Sequence, residues 1–490
     1  MARCSPWRSC RSRPSSASSS CPSDCSSKAS RPPVSSDHHS FTASPFSKGT
    51  AMKFTRSTVA VALLSTAALG LSACAGGAAP AGGAAPEGEI EGEISIAWWG
   101  GDSRNQKTNA VIDMFEEANP GVTTDRQSAD FGPYWDKLNV QASSRSMPCA
   151  VQVQGRQVND YTKNNLLLPL DPMIEAGQID VSDIPEAVLD NGRGTDGKLY
   201  FLPYGAAYDA VGVNETLAAE AGVELPAEGY TWDDYFAFLE EASAGLPDGT
   251  KAVDSSGGRP NFFIGWTLAN GKSLFGEDGK LGFTEDDLTE YWTIWDELRK
   301  AGVTETPERA AEEPTATDQS YFANGELLSD TLPGNALTPA SATLAGKGDA
   351  KITTLPYPSG PAGSGNALYP SGFAIPASCD NPVTAAAFID FFTNDLEAGK
   401  VFAADNGAPT NTKVLEALLA DDSLPDTKKH ELELYQQIIE NDPPSIVFPP
   451  GYQATFEASF KRAWEDISFE RASIEQAVQT FFDEANASLG

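Results

Sequence analysis

The chain has 490 residues, 34 Lys or Arg against 68 Asp or Glu, and a net charge of −34. An excess of acid on this scale repels nucleic acid and anionic lipid headgroups and keeps an exported protein soluble. Residues 1–51 run against that balance, with seventeen Ser, four of the seven Cys, seven basic and only two acidic residues. They carry no apolar periodicity and cannot bury a core.

Residues 52–74, MKFTRSTVAVALLSTAALGLSAC, have the layout of a bacterial export signal. Lys53 and Arg56 give the positive end, an apolar run from Val59 to Leu71 follows, and Ser72-Ala73 precede Cys74. The run is shorter than the roughly 18 apolar residues a membrane span needs. LSAC is similar to the lipobox of bacterial lipoproteins, which implies cleavage before Cys74 and lipid on its thiol. Residues 52–73 are therefore expected to be a signal peptide, Met52 the true start, and 1–51 a disordered stretch upstream of it. An organelle transit peptide is the competing reading of a Ser- and Arg-rich leader, and a lipoprotein signal directly behind it argues against that.

The remainder is a different chain. Removing the nine basic and two acidic residues before Cys74 leaves 25 against 66, a net charge of −41. About 400 residues suffice for two domains with real cores. Cys149 and Cys379 are the only cysteines after Cys74. One bridge between them is open, and two isolated buried thiols is the favoured expectation.

Residues 74–92, rich in Ala, Gly and Pro, form a flexible tether. EISIAWW then reads as a strand with Ile94, Ile96 and Trp98 on one face. RNQKTNAVIDMFEEANPG reads as a helix aligned on Val111, Phe115 and Ala118 and stopped by Pro120-Gly121. The strand VTTDRQ, a helix from YWDKLNVQASS and the strand AVQVQ follow. This alternation predicts a parallel α/β sheet.

After GKLYFLPYG the helices lengthen. TWDDYFAFLEEA opens on a Thr231/Asp234 capping box, and TEDDLTEYWTIWDELRKAG repeats it with Thr284/Asp287. Trp232, Tyr235, Phe236 and Leu239 make one apolar stripe; Leu288, Tyr291, Trp292, Trp295 and Leu298 make another, so Trp292 and Trp295 are expected in a core. SLFGEDGKLGF reads as a hairpin loop. Alternation returns in KITTLPYP and LYPSGFAIPAS, and a helical tail spans roughly 410–489. His430, the only His after residue 74, falls on a charged helix face expected to be solvated.

Catalytic motifs fail. GWTLANGKS has five residues between Gly265 and Gly271 where a phosphate loop needs four. There is no HExxH, no GxSxG and no CxxC after residue 74, so no metal site, cofactor or catalytic residue is expected. What stands out is WWGGDSR at a strand's carboxyl end, where open α/β sheets bind ligands. An aromatic ring covers the C–H face of a sugar, while carboxylate and guanidinium groups bind its hydroxyls. For Trp98 the core reading prevails; for Trp99 site and core are evenly matched.

From there the chain resembles the sugar-binding (family 1) extracellular solute-binding lipoproteins of bacterial ATP-binding-cassette importers. The resemblance covers roughly residues 92–485. It rests on WWGGDSRNQKTNAVIDMFEEANPGV, YWDKLNVQ, LLLPLDPMI, GKLYFLPYGAAYDAVGVNETLAAEAGV, TWDDYFAFLEEA, FANGELLSDTLPGNA and LYPSGFAIPASCDNPVTAAAFIDFFTND, in that order. One departure is SMPCAVQ, where the family carries Pro-Asp-Val and this chain has Cys149-Ala150. The resemblance implies a periplasmic-binding-protein-like fold of type II: two α/β lobes joined by hinge crossovers, with the ligand cleft between them. Lobe 1 would be 93–207 and 352–405, lobe 2 would be 208–351 and 406–490, and the crossovers would lie near LPYGAAYD and TTLPYPSG. Carried over position by position, the cleft would receive Trp99, Asp102, Arg104, Tyr134, Tyr204, Asp209, Trp266, Ser371 and Gly372. For Tyr204 hinge packing, for Asp209 a turn cap and for Trp266 a core position are the competing readings. The implied protein is a monomeric receptor, anchored through Cys74 at the outer face of the cytoplasmic membrane, that hands a sugar to ABC permease subunits. A secreted glycosidase or lyase using cleft carboxylates is the alternative. A surface adhesion or signalling protein is a third class, lowered by the absence of repeats.

Overall fold

The computed structural model describes residues 84–276, 278–314 and 317–489. The leader, the signal peptide, Cys74 and the start of the tether lie outside them. Among the described residues no helix is long and apolar enough to cross a membrane.

The described residues build a nine-stranded sheet and a small two-stranded one. Strands β1 (Gly92–Trp99), β2 (Val122–Ala129) and β3 (Ala150–Gln154) are parallel, with β1 in the middle. The alternation of β1 places Ile94, Ile96 and Trp98 in one core with Val111, Ile112 and Phe115 of helix Asp102–Ala118. Ala97 and Trp99 point to the other face, against Tyr134, Leu138 and Ala142 of helix Phe131–Ser143. Both faces are thus covered, as parallel strands require.

The parallel expectation holds for this corner and for one further pair, Lys251–Val253 with Leu327–Pro333. The rest comprises β4 (Phe201–Asn214), β5 (Lys251–Val253), β6 (Leu327–Pro333), β7 (Ile352–Leu355), β8 (Ser359–Gly360), β9 (Gly363–Ser364), β10 (Leu368–Ala374) and β11 (Ala408–Pro409). Strand β10 inserts antiparallel between β3 and β4, giving the mixed order β2-β1-β3-β10-β4-β6-β5. The 14 residues of β4 serve both halves of the sheet. Its first part pairs with β10 and β11, and its last residues, from Asp209 on, pair with β6 and β7. Where β10 meets β4, the register shifts between Ser371 and Gly372. A Cβ at Gly372 would stand 2.1 Å from the Leu202 carbonyl oxygen, so only glycine fits that close approach.

Beyond the crossover lies an aromatic core. Both expected capping boxes are present, at Thr231/Asp234 and Thr284/Asp287. They start helices Trp232–Ser243 and Glu285–Lys300, whose stripes bury Trp232, Tyr235 and Leu239, and Leu288, Tyr291, Trp292, Trp295 and Leu298. The tail divides. Leu415, Leu418, Leu432, Tyr435 and Ile438 join the core that contains β1, whereas Phe448, Phe456, Trp464 and Phe481 join the aromatic one. Packing therefore changes sides at about 441–445 rather than at 406, and β7 pairs with the far end of β4, the side opposite to its expected lobe. His430 is half-buried on this tail, its Nε2 2.9 Å from the Thr354 carbonyl oxygen, and is not simply solvated.

Cys149 and Cys379 are bonded to each other, correcting the favoured expectation of two thiols. The bridge joins the start of β3 to the turn before helix Pro382–Asn394 across 230 residues of sequence. At that strand end the amide of Cys149 donates to Ser95 Oγ at 3.1 Å.

Candidate functional site

Strand β3 ends at Gln154, and the helix Gly155–Thr162 starts at once, so Arg156 projects from a first helical turn beyond a strand's carboxyl end. Its guanidinium bridges the molecule. Nη1 lies 3.1 Å from Glu457 Oε1, and Nη2 donates to Asn261 Oδ1 at 2.9 Å. The Tyr369 ring of β10 lies under its Cζ, 4.4 Å from the ring centroid. Asn261, in the first turn of helix Pro260–Ala269, turns its amide the other way and donates to Asp209 Oδ2 at 2.6 Å. Asp209 sits on β4 where the partner changes from β10 to β6. Its carbonyl accepts from Asn366 Nδ2 at 2.8 Å, and Asn366 Oδ1 accepts from the Tyr357 amide at 2.8 Å. One asparagine thus fastens the crossover strand to the return segment.

Burial is the main influence on Asp209 and pushes its pKa up to about 6, against the pull of Arg156 and the Asn261 hydrogen bond. Burial also opposes the charge on Arg156, but Tyr452, Glu457, Tyr369 and Asp209 together hold its pKa above the ordinary value. Polar valences around the cluster remain unused: Arg156 Nε, Gln157 Oε1 and Tyr357 Oη have no hydrogen-bond partner. Buried polar atoms are normally paired, so each of these three can take a further partner, a ligand hydroxyl or water. The arrangement offers donors, acceptors and a ring face. It offers no nucleophile paired with a base, and among the described residues no three metal-ligating side chains could hold a metal.

The residues expected at the site separate into four groups. Asp209 lies in the cluster. Ser371, buried on β10, receives Gln154 Nε2 at 3.4 Å beside it, and Gly372 serves strand contact. Asp102 and Arg104 lie apart, in an open depression lined by Trp99 to Arg104, Asp130, Phe131 and Asp405. There Asp102 is exposed at the start of its helix. Arg104 Nε donates to Asp405 Oδ1 at 3.1 Å, and Ser103 and Lys107 converge on the same carboxylate. Burial opposes charge on Asp405, yet these neighbours bring its pKa below the ordinary value.

Trp99, Tyr134 and Tyr204 converge on the interior. Gln152, fully buried, accepts the Trp99 amide at 3.0 Å and donates to Tyr204 Oη at 2.5 Å. Tyr134 Oη donates to the Gln152 carbonyl at 2.7 Å. The Trp99 ring packs against Phe131, Tyr134 and Trp135 and is 4 % exposed. Trp266 is placed in the aromatic core, stacked with Phe263 and near Tyr291, on a helix apolar nearly all round. Arg156, Asn261, Tyr369 and Glu457 were not among the expected residues. Arg156 was within reach, because the strand-end rule applied to WWGGDSR applies equally to AVQVQGRQ. Glu457 and Asn261 come from helices with no local signal.

A sequence profile described as bacterial extracellular solute-binding protein matches residues 110–430. Solved structures share the fold across most of the chain. An extracellular solute-binding protein family 1 from Alicyclobacillus acidocaldarius has 23 % identity and a TM-score of 0.65, covering 82 % of this chain and 99 % of that one. A periplasmic oligogalacturonide binding protein from Yersinia enterocolitica, solved with saturated digalacturonic acid, has 19 % identity, a TM-score of 0.68 and coverages of 81 % and 98 %. The GacH receptor of Streptomyces glaucescens, solved unliganded and with acarbose, has 18 % identity, a TM-score of 0.64 and coverages of 82 % and 99 %. With the profile matching well over half of its length, the chain belongs to the bacterial extracellular solute-binding proteins, a family of exported binding proteins rather than enzymes.

Proposed function

We propose that this protein is the receptor of an ABC importer, capturing a sugar outside the cell and delivering it to permease subunits in the membrane. The observation that carries the reading is the Arg156–Asn261–Asp209 chain with Glu457 and Tyr369. It gathers a guanidinium, an amide, two carboxylates and an aromatic face where the two halves of the sheet meet. Such a set suits a polyhydroxylated ligand: a mono- or oligosaccharide, a polyol or a uronate. Three of the proteins of like fold, including one from Listeria monocytogenes solved with cycloalternan, bind oligosaccharides or their analogues, which supports the same ligand class here.

The two halves of the sheet, each with its own core, act as lobes, with the crossings at β4, at 356–367 and at 441–445 as hinges. Cys74 carries lipid and holds the receptor at the outer face of the cytoplasmic membrane as a monomer; intact mass of protein extracted from membranes reads that directly. The receptor reading is tested by a thermal-shift screen against a sugar panel. A ligand that binds only the native state stabilises it by about 2.7 kcal/mol at a hundredfold excess over Kd. The matching sugar should raise Tm and be recovered unchanged by chromatography after long incubation. Sustained turnover, abolished by Asp209→Asn or Glu457→Gln, would instead establish the carbohydrate-active enzyme.

A further inference from the structure

A cavity of about 350 Å³ lies beyond the crossover and shares none of Arg156, Asp209, Asn261 and Glu457. Asp254 follows β5, Asp330 lies on β6, and Glu305 and Glu313 come from the segment between helix Glu285–Lys300 and β6. Asp254, Glu305 and Asp330 are each 1–2 % exposed, and Glu313 is half-buried. Four carboxylates thus meet around one space, and few cations answer them. Arg259 Nε donates to Asp254 Oδ2 at 2.8 Å, and its Nη2 stays 3.6 Å from Asp330 Oδ1. Arg309 donates to Glu305 Oε1 at 2.7 Å but spends its other arm on Glu326. Lys461 and Glu465, one of each sign, also border the cavity.

Two carboxylate oxygens are left over. Asp330 Oδ1 and Glu313 Oε2 accept no hydrogen bond. A buried carboxylate oxygen without a donor is costly, and the cost is removed by a cation that donates to it. Trp464 stands on the same wall, its ring packed along Gly257 and Gly258 and fixed by donation from Nε1 to Ser255 Oγ at 2.9 Å. The volume falls among small-molecule sites, about 300–1,000 Å³. Among the described residues no acidic trio could hold a metal ion, which points away from a bare divalent cation.

We propose that this cavity is a second binding site, separate from the sugar cleft, that takes a small organic cation with a primary ammonium or guanidinium head. The head donates to Asp330 Oδ1 and Glu313 Oε2, and its carbon stem lies along Trp464. The charge balance agrees: burial, then Asp254, raises the Asp330 pKa well above the carboxylate range, and burial lifts Glu305 to about 7, as expected of a cluster short of positive charge.

The test uses full-length mature protein, with putrescine and agmatine as probes and butanediol as the uncharged control, read by calorimetric titration and thermal shift. The amines should bind and raise Tm while butanediol does neither. Asp330→Asn should weaken amine binding at least tenfold without lowering the melting temperature of the free protein, since it replaces a buried carboxyl group whose Oδ1 accepts no hydrogen bond. Glu313→Gln, at a half-buried position, gives the same reading should Asp330→Asn fold poorly. Asp209→Asn and Glu457→Gln should leave amine binding intact. Loss of amine binding in those cleft variants alone would place the cation in the sugar cleft and overturn the second site. So would the absence of binding by either amine at millimolar concentration, whatever the sugar screen shows.

Discussion

Asp209 is the residue on which the energetics of the site turn. A carboxylate whose folded pKa is about 6, against an ordinary value of 3.8, binds its proton more tightly in the native state than in the unfolded chain. Between those two values the native state holds the extra proton, so its stability rises as pH falls through 6 and levels off near 4. The gap corresponds to about 3 kcal/mol. Sugar binding should respond with the opposite sign, because an ionised acceptor gives the stronger hydrogen bond to a hydroxyl. Other carboxylates have lowered values, Asp405 and Asp196 among them, so total stability is a poor readout. The difference between wild type and Asp209→Asn isolates the effect. Chemical denaturation and calorimetric titration from pH 4.5 to 7.5 should show wild type gaining stability relative to the mutant while losing affinity on acidification. A mutant that reproduces both wild-type slopes would remove Asp209 from the site. Arg156→Lys, tested alongside, should weaken binding about tenfold or more, because an ammonium cannot reach Glu457 and Asn261 together and stack on Tyr369.

Elements show where sequence reading succeeds and where it stops. Strand β1 and the capping-box helices are legible because their information is local: a period of two in EISIAWW, and Thr three residues before Asp ahead of an apolar stripe. The antiparallel insertion of β10 is not local, since its partners β3 and β4 lie more than 150 residues upstream. The same limit applies to side-chain direction. The strand end at WWGG was legible as an address, but Trp99 turns inward because Phe131, Tyr134 and Trp135 offer it a ring cage that no spacing announces. The Cys149–Cys379 bridge belongs with these long-range facts. It fastens the β3 strand to the helix that covers the sheet, at a position where the resemblance leads one to expect an aspartate. Closing so long a loop restricts the unfolded chain, and removing such a bridge costs about 2–4 kcal/mol. The double substitution Cys149→Ala/Cys379→Ala should lower Tm by several degrees, with reductant producing the same loss in wild type and none in the double mutant. Equal melting of oxidised and reduced wild type would mean the bridge contributes nothing.

At the scale of the whole molecule, the two cores share one continuous strand, and β4 changes partners at Asp209, the residue that also joins the candidate site. Rotation of one half against the other must bend the backbone at that point, so a ligand at Arg156 and Asp209 reads the angle between the halves directly. Contacts on one side already span them: Asn159 Nδ2 donates to the Phe448 carbonyl at 2.8 Å, and Gln157 Nε2 to Gln453 Oε1 at 2.7 Å. In the proposed closure these contacts are expected to stay joined as a flank. A ligand shifts an open–closed balance only by its difference in affinity for the two states, and a sugar gains that difference when both walls reach it. Spin labels at Val140→Cys and Glu290→Cys, exposed positions on helices of opposite halves, should move together at saturating sugar, and small-angle scattering should show a slight compaction. Asn366→Ala removes the fastening between β4 and the return segment. It should broaden the label distances in the free protein and narrow them again with ligand, because the hinge loses its stop while the site keeps its grip. Unchanged distances at a sugar concentration shown by calorimetry to saturate the protein would mean that it binds without closing.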